Sequence, residues 1–185
     1  MMAGFKTNEI ISAMPGLLDL ASAAGSDLGV TSDIVSDALT AFGLKAKDTS
    51  HLADVMAKAS STANTNVEML GEAYKYAAAP AHAFGMSAEE VTAALAKMAD
   101  AGVKGTMGGT ALRGALTRLA KPPKQAAVWL KKLGVSIADT HGKIRPFNSI
   151  MGDMRKSMSK LTQQQNNKLL QAFLDKKLCQ VCLQY

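Results

Sequence analysis

Apolar residues recur every three or four positions along most of the chain, the spacing that places them on one face of a helix. In residues 66–79, for example, Val67, Leu70 and Ala77 share one side. Pro80 follows this run, and because proline lacks a backbone donor we expect it to kink or end the helix. Similar runs elsewhere predict an all-α fold of packed helical hairpins.

Helix starts are marked by capping boxes, in which a hydroxyl and a carboxylate or amide three residues later satisfy each other's backbone donors. Three segments fit this pattern: Thr65–Glu68, Ser87–Glu90 and Thr162–Gln165. Further expected starts are Pro15 in a first helical turn, Thr31 or Ser32 before a helix ending at Phe42, and Asp48 or Thr49 before a helix ending near Ser60.

The second half of the chain contains a glycine-rich stretch at 102–110, which predicts a loop or a connection that must bend or pack tightly. Helices are expected over 111–119 and over 124–133, where Gly134 ends the second. Apolar residues then alternate around a glycine-containing turn, so we predict one small β-hairpin at 135–147. The last helices are expected from Asn148 or Ser149 to Lys160 and again after Thr162.

Two similar octapeptides occur in the chain, AFGLKAKD at 41–48 and AFGMSAEE at 83–90. Each copy holds a glycine that can end a helix in the left-handed conformation, followed by an acidic start to the next helix. The repeat predicts an array of helical hairpins that bury their apolar faces against their neighbours. Such an array favours a scaffold or binding surface over a reaction site.

Charge is distributed unevenly. Residues 1–100 contain 6 Lys and Arg against 12 Asp and Glu, whereas residues 101–185 contain 15 against 3. A basic half of this kind can attract nucleic acid or an acidic protein, and the acidic half can associate with it. Because the cations are dispersed and no aromatic stacking pattern accompanies them, a solvated surface is the simpler interpretation. A stand-alone adaptor that binds nucleic acid or an acidic protein is the alternative.

The composition of the chain argues against several other classes of protein, among them membrane-spanning and secreted proteins. The chain is 48% hydrophobic with only 5% aromatic residues, and it contains 11 Met, so small and flexible side chains dominate the expected core. No run of eighteen apolar residues predicts a membrane span, and the first residues lack the apolar core of a secretory signal. We therefore expect synthesis in the cytoplasm.

No residue pattern indicates catalysis, a cofactor or a metal. The histidines fall on separate elements without zinc-binding spacing; they are His51, His82 and His141. Cys179 and Cys182 have redox-motif spacing but lack the strand and helix context of a thioredoxin-like unit. The glycine-rich stretch could hold an anion at a helix N-terminus, yet it has no P-loop signature and no preceding strand. We predict no catalytic, cofactor-binding or metal-binding residues.

The stretch from Met14 to about Ala172 resembles the core region of bacteriophage tail tape measure proteins. Four segments carry this resemblance: Ala13–Ala21, Asp33–Leu44, Asn66–Ala73 and Gly109–Pro122. The resemblance implies a structural protein of a virion or prophage tail, made in the bacterial host cytoplasm, that sets tail length and assists tail assembly. Its implied partners are other copies of itself, tail tube proteins and tail assembly chaperones.

Family members are much longer, so the resemblance implies a fragment. Within it we divide the chain into a helical-repeat part at 1–134, the hairpin and last helices at 135–174, and a divergent tail at 175–185. Reading plausible codons of that tail one base earlier yields a family-like continuation. We therefore expect the tail to be a frameshift product, which would also explain Cys179 and Cys182.

Overall fold

The structure is a computed structural model that describes residues 6–140, 142 and 144–173. Its regular secondary structure is helical over this part of the chain, which confirms the all-α class. The helices are α1 (Thr7–Ala24), α2 (Leu28–Ala41), α3 (Thr49–Thr62), α4 (Val67–Ala83), α5 (Ala88–Asp100), α6 (Gly105–Ala120), α7 (Lys124–Leu133), α8 (Phe147–Met158) and α9 (Gln163–Phe173). One turn of 3-10 helix, Ala46–Asp48, precedes α3. None of these helices is both long and apolar enough to cross a membrane.

The chain divides into two compact units. The first unit contains the chain up to Ala83 together with Ser87–Arg113, and the second contains Phe84–Met86 together with the chain from Gly114 onward. The boundary therefore falls inside α6. The division at residues 134 and 174 drawn from the sequence stays a prediction.

Helices of the first unit form two rows. α1 packs against α3 and α3 against α5, while α2 packs against α4, so each helix lies beside the next but one. The apolar stripes predicted from the sequence meet between the rows. The largest fully buried side chains there are Leu17, Leu20, Val35, Leu39, Leu52, Met56, Val67, Leu70 and Val91.

Glycines allow several of these helices to approach closely. A Cβ built on Gly109 of α6 would lie 2.2 Å from the carbonyl oxygen of Ala73 in α4, and one on Gly16 would lie 2.8 Å from Ser50 Cα. The loop predicted at 102–110 is present only at 102–104, because α6 already begins at Gly105. The close packing considered for this stretch is present, with Gly109 as its contact.

Two of the three predicted capping boxes are confirmed. Ser87 and Glu90 exchange both hydrogen bonds at the start of α5, and Thr162 and Gln165 do so at α9. The box at Thr65 is wrong by one residue. Asn66 caps α4 instead, and its Oδ1 accepts the Met69 N–H at 2.7 Å, because an asparagine side chain is a strong acceptor at this position.

Two further helix starts differ from the sequence prediction, and of the two outcomes predicted at Pro80, a kink or a helix end, the helix end is wrong. α2 begins at Leu28 rather than after Thr31 or Ser32, because the Asp27 carboxylate accepts the Val30 N–H at 3.0 Å. α1 begins at Thr7, so Pro15 lies inside the helix and not in its first turn. α4 continues through Pro80 to Ala83, where the left-handed Gly85 follows. Packing of α1 and α4 against neighbouring helices compensates for the backbone hydrogen bonds that Pro15 and Pro80 cannot donate.

The β-hairpin predicted at 135–147 is wrong. The described residues of this segment form one isolated antiparallel bridge, between Ala138 and Ile144, supported by the Arg145 N–H donating to the Ile137 carbonyl at 2.9 Å. Between the end of α7 at Leu133 and the start of α8 at Phe147, the described residues pair only at this bridge, because an isolated two-stranded hairpin is at best marginally stable.

The second unit is built around α7, which packs against α8 and α9. Gly134 ends α7 with a φ of 67°, as the sequence predicts. The most deeply buried apolar side chains are Leu116, Ala126, Ile150 and Leu169. Phe84 and Phe147 add an edge-to-face contact with centroids 6.5 Å apart.

Candidate interaction surfaces

An open groove runs between α3 and α5 in the first unit, with a volume of about 530 Å³. Its apolar lining is Val55, Ala59, Ala63, Ala93 and Ala96. Its charged lining is His51, Asp54, Lys58, Glu89, Lys97 and Asp100. We call this the α3/α5 groove. Because most of its apolar side chains are methyl groups, another helix could approach it closely.

One ion pair joins the two sides of this groove. His51 Nε2 of α3 hydrogen-bonds to Glu89 Oε1 of α5, and both side chains are largely exposed. The bond raises the pKa of His51 above its ordinary value, with the Glu89, Asp54 and Asp48 charges acting in the same direction. The Ser87 hydroxyl and the His51 imidazole lower the pKa of Glu89 to about 2.

Deeper in the first unit, a polar contact links α4 to α5. The buried Tyr74 hydroxyl lies 2.5 Å from Thr92 Oγ1, which itself donates to the Ala88 carbonyl at 2.6 Å. The tyrosine hydroxyl is therefore the donor. Burial raises the pKa of Tyr74, so it stays protonated, and its ring packs edge-to-face on Phe42. This contact is structural because the hydroxyl is enclosed.

An apolar residue surrounded by lysines lies on the outer side of α7. Val128 is 67% exposed, and Lys124 and Lys131 lie one turn before and after it on the same side, opposite the buried Ala126 and Leu130. We call Lys124, Val128 and Lys131 the α7 face. Val128 is one of several singly exposed apolar side chains on the described surface, among them Ile11 and Met107.

The second unit has an open apolar groove of its own, of about 640 Å³, beside the isolated bridge. Leu119, Leu130 and Val135 are among the residues that line it. Arg145 supports this region, since its guanidinium donates to the Ser136 carbonyl at 2.8 Å and to Asp153 Oδ2 at 2.7 Å.

The structure does not gather the candidates considered from sequence into one site. His51 lies in the α3/α5 groove, and His82 lies beside Gly43, where an added Cβ would be 3.2 Å from its Nε2. His141, Cys179 and Cys182 lie outside the described residues. Among the described residues, no group of three or more His, Cys, Asp or Glu could hold a metal ion.

Sequence reasoning missed the α3/α5 groove and the α7 face. The pairing of His51 with Glu89 joins residues far apart in sequence, so local spacing carries no sign of it. The sequence did contain a sign of the α7 face. Val128 breaks an otherwise polar stripe of α7, and that break is visible without a structure.

The chain also matches known proteins. The model of the family described as phage-related minor tail protein matches residues 1–174. The chain belongs to this family. Membership supports a tail protein rather than the stand-alone adaptor considered from the charge distribution.

Two relatives carry more specific names. The chain is 44% identical over 168 residues to a "Tape measure protein" of Pneumococcus phage Dp-1, a match that covers 91% of the chain and 15% of that relative. It is 31% identical over 158 residues to a "Probable tape measure protein" of Escherichia phage P2, which covers 85% and 19% respectively. The chain thus spans less than a fifth of each relative's length. No solved structure matches it.

Proposed function

We propose that this chain is a folded helical part of a phage tail tape measure protein and acts structurally in tail assembly. Two relatives that bear this name, matched over most of the chain, carry the proposal. The whole protein sets tail length, and it works in the virion tail after synthesis in the host cytoplasm. Its partners are further copies of itself, tail tube proteins and tail assembly chaperones.

The fold supports an assembly role more than a measuring role for this part. The longest described helix, α1, has 18 residues and spans about 27 Å at 1.5 Å per residue. The helices of the first unit lie side by side in rows, so most residues add no length. A ruler gains length from continuous helix, whereas the described part of the chain consists of short helices packed beside one another.

The internal repeat belongs to the same proposal. Gly43 and Gly85 both adopt the left-handed conformation, after the buried Phe42 and Phe84. Early in each following helix, a buried threonine hydroxyl donates to a backbone carbonyl: Thr49 to Ala46 and Thr92 to Ala88. These similarities support an origin of α2 with α3 and of α4 with α5 from one hairpin unit.

A substitution pair in the encoding phage tests the assembly role. Leu70→Asp places a carboxylate in the core of the first unit, whereas Met69→Asp places it at the partly exposed neighbouring position of the same helix. We expect Leu70→Asp to reduce the number of complete tails severely, with the remaining tails normal in length by electron microscopy. Met69→Asp should leave tail number unchanged. Normal numbers of tails with Leu70→Asp would contradict the proposal.

A duplication separates assembly from measurement. Repeating the segment from α4 to α5 in frame should not lengthen the tail if the hairpin stacks beside its neighbours. If the segment were read as continuous helix, tail length would grow by about 1.5 Å for each added residue. Tail lengths measured on micrographs distinguish these outcomes, and growth in that proportion would refute the compact role.

A further inference from the structure

The second unit is strongly basic. Its described residues contain ten Lys and Arg against two Asp. One of these two, Asp153, is already paired with Arg145, whose Nη2 lies 2.7 Å from Asp153 Oδ2. The other is Asp139, which directly follows Ala138 in the segment after α7. A partner of this unit therefore gains most from negatively charged groups.

The apolar groove beside the isolated bridge opens on this basic unit. We call it the second-unit groove. Leu119, Leu130 and Val135 are buried side chains that line it, and the half-buried Ile137 adds a further aliphatic side chain. Among the described residues of the lining, Lys131 carries a charge and no carboxylate balances it. The groove thus combines an aliphatic surface with a net positive charge.

Lysines border this groove along α7. Lys124, Ala127 and Lys131 are spaced by three and four residues, so they share one side of the helix. Ala127 and Lys131 line the groove, which places Lys124 at the same edge. Lys121 is exposed between two further lining residues. None of the three lysines forms an ion pair with a described carboxylate.

An aliphatic groove edged by lysines favours an acidic peptide over a nucleic acid. Aliphatic side chains of a peptide can enter the groove while its carboxylates meet the lysines, whose stems are long and flexible. A single-stranded nucleic acid would use the cations but also needs aromatic rings on which its bases can stack. Trp129 of α7 lies outside the groove lining, and Lys132 Nζ lies 5.0 Å from the centroid of its ring.

We propose that the second-unit groove binds an acidic amphipathic segment of a different protein. Aliphatic side chains of that segment contact Leu119, Leu130 and Val135, and its carboxylates pair with Lys124 and Lys131. This site goes beyond the structural role in the tail. It depends only on the charge and shape of the second unit, so it stands or falls separately from that role.

A synthetic peptide serves as the probe. It is a helix-forming peptide of about 15 residues with leucines on one face and glutamates on the other. Fluorescence anisotropy with the purified 185-residue chain should show saturable binding. Replacing the leucines by alanines should weaken binding at least about fivefold, and replacing the glutamates by lysines should abolish it. Equal binding of the leucine and alanine peptides would overturn the proposal, because charge alone would then explain the attraction.

Two arginine substitutions locate the contact. Ala127 and Gln125 are both exposed on α7, but only Ala127 is among the residues that line the groove. Ala127→Arg should weaken peptide binding at least about fivefold despite its added positive charge, since the new side chain fills the groove. Gln125→Arg adds the same charge outside the groove and should not weaken binding. Circular dichroism verifies that both variants are folded. Equal effects of the two substitutions would refute the site.

A charge reversal at the edge of the groove gives a second matched pair. Lys131→Glu should weaken peptide binding by about tenfold, because it removes a cation of the groove and adds a carboxylate. Lys156→Glu makes the same charge change on α8, where no described residue lines the groove, and should weaken binding less. The reverse ranking would contradict the assignment.

Other occupants of the groove give different results. A single-stranded oligonucleotide that binds more tightly than the acidic peptide, and that Ala127→Arg releases, would assign the groove to nucleic acid and overturn the proposal. Sedimentation velocity of the chain without peptide tests a second copy as the occupant. Self-association that Ala127→Arg abolishes would likewise overturn it. Since no phage is used, failure of these experiments leaves the tail assembly experiments unaffected.

Discussion

The two units of the chain differ in how closely their helices pack. In the first unit, glycines at 16, 71 and 109 bring helices so near that an added methyl group would meet a neighbour at 2.8 Å or less. In the second unit, described glycines such as Gly114 and Gly152 have open space around them. Close approach therefore stabilises the first unit, while the second depends more on a few large apolar side chains and on charged contacts.

The largest effect expected from this comparison is at Gly109. Gly109→Ala should lower the free energy of unfolding by about 3 kcal/mol, because the new Cβ would strike the Ala73 backbone, which cannot move as a side chain can. Chemical denaturation followed by circular dichroism measures the change.

Gly114 in the same helix is the matched control. Nothing lies within 4 Å of its added Cβ, so Gly114→Ala should stabilise the chain by about 0.5–1 kcal/mol through better helix propensity. Equal effects at the two glycines would show that close packing does not distinguish the units.

Among the charged side chains of the second unit, Arg145 is expected to contribute most to stability. Arg145→Ala removes hydrogen bonds to Ser136 and Asp153 and should cost about 1.5 kcal/mol locally. The Arg145 amide, which donates to Ile137, should then exchange its hydrogen faster. Amides in the core of the first unit serve as the internal control. Unchanged exchange at residue 145 would contradict the supporting role.

A smaller effect is expected for the polar link within the first unit. Tyr74→Phe keeps the ring on Phe42 but removes the hydroxyl that donates to Thr92, so the free energy of unfolding should fall by about 1 kcal/mol. Tyr76→Phe, which changes a more exposed tyrosine of the same helix, should change stability much less. A larger loss for Tyr76→Phe would contradict this view of the core.

The smallest effect is a pH dependence from His51 and Glu89. The raised pKa of His51 gives stabilisation that is present below about 6.5 and lost as pH rises through the folded value. The lowered pKa of Glu89 gives stabilisation present above about 4.5 and lost as pH falls toward 2. Both contributions coexist between these limits. Because the pair is exposed, we expect about 0.5 kcal/mol there.

Unfolding measurements on His51→Ala, Glu89→Gln and the double variant isolate this coupling. The coupling energy should be greatest between pH 4.5 and 6.5 and should vanish at alkaline pH, where the imidazole is neutral. A coupling energy that is the same at alkaline pH as between pH 4.5 and 6.5 would show that the charges contribute nothing.

Several features of the fold follow from local residues and were predicted. The apolar spacing, the Ser87–Glu90 box and Gly134 all act through contacts within a few positions, so the all-α class and the ends of α5 and α7 are readable from the sequence. Predictions failed where two signals compete. Asn66 and Asp27 outrank nearby threonine or serine as caps, and Pro15 and Pro80 are tolerated because packing holds their helices together.

The secondary structure of two segments differs from what their own residues favour. Glycines at 105–109 indicate a loop by their own propensity, yet they lie in α6, where the close approach of the Ala73 backbone requires a glycine at 109. Likewise, residues 135–147 show strand-like alternation, yet their described residues form a single bridge between α7 and α8. Neither outcome is encoded in local preference.

The sequence alone determined the helical class, the uneven charge and the resemblance to tape measure proteins, because these depend on residue type and short spacing. Tertiary structure decided which helices lie side by side, that a groove opens between α3 and α5, and that Val128 faces solvent among lysines. The physical reason is that burial and pairing across helices depend on residues distant in sequence.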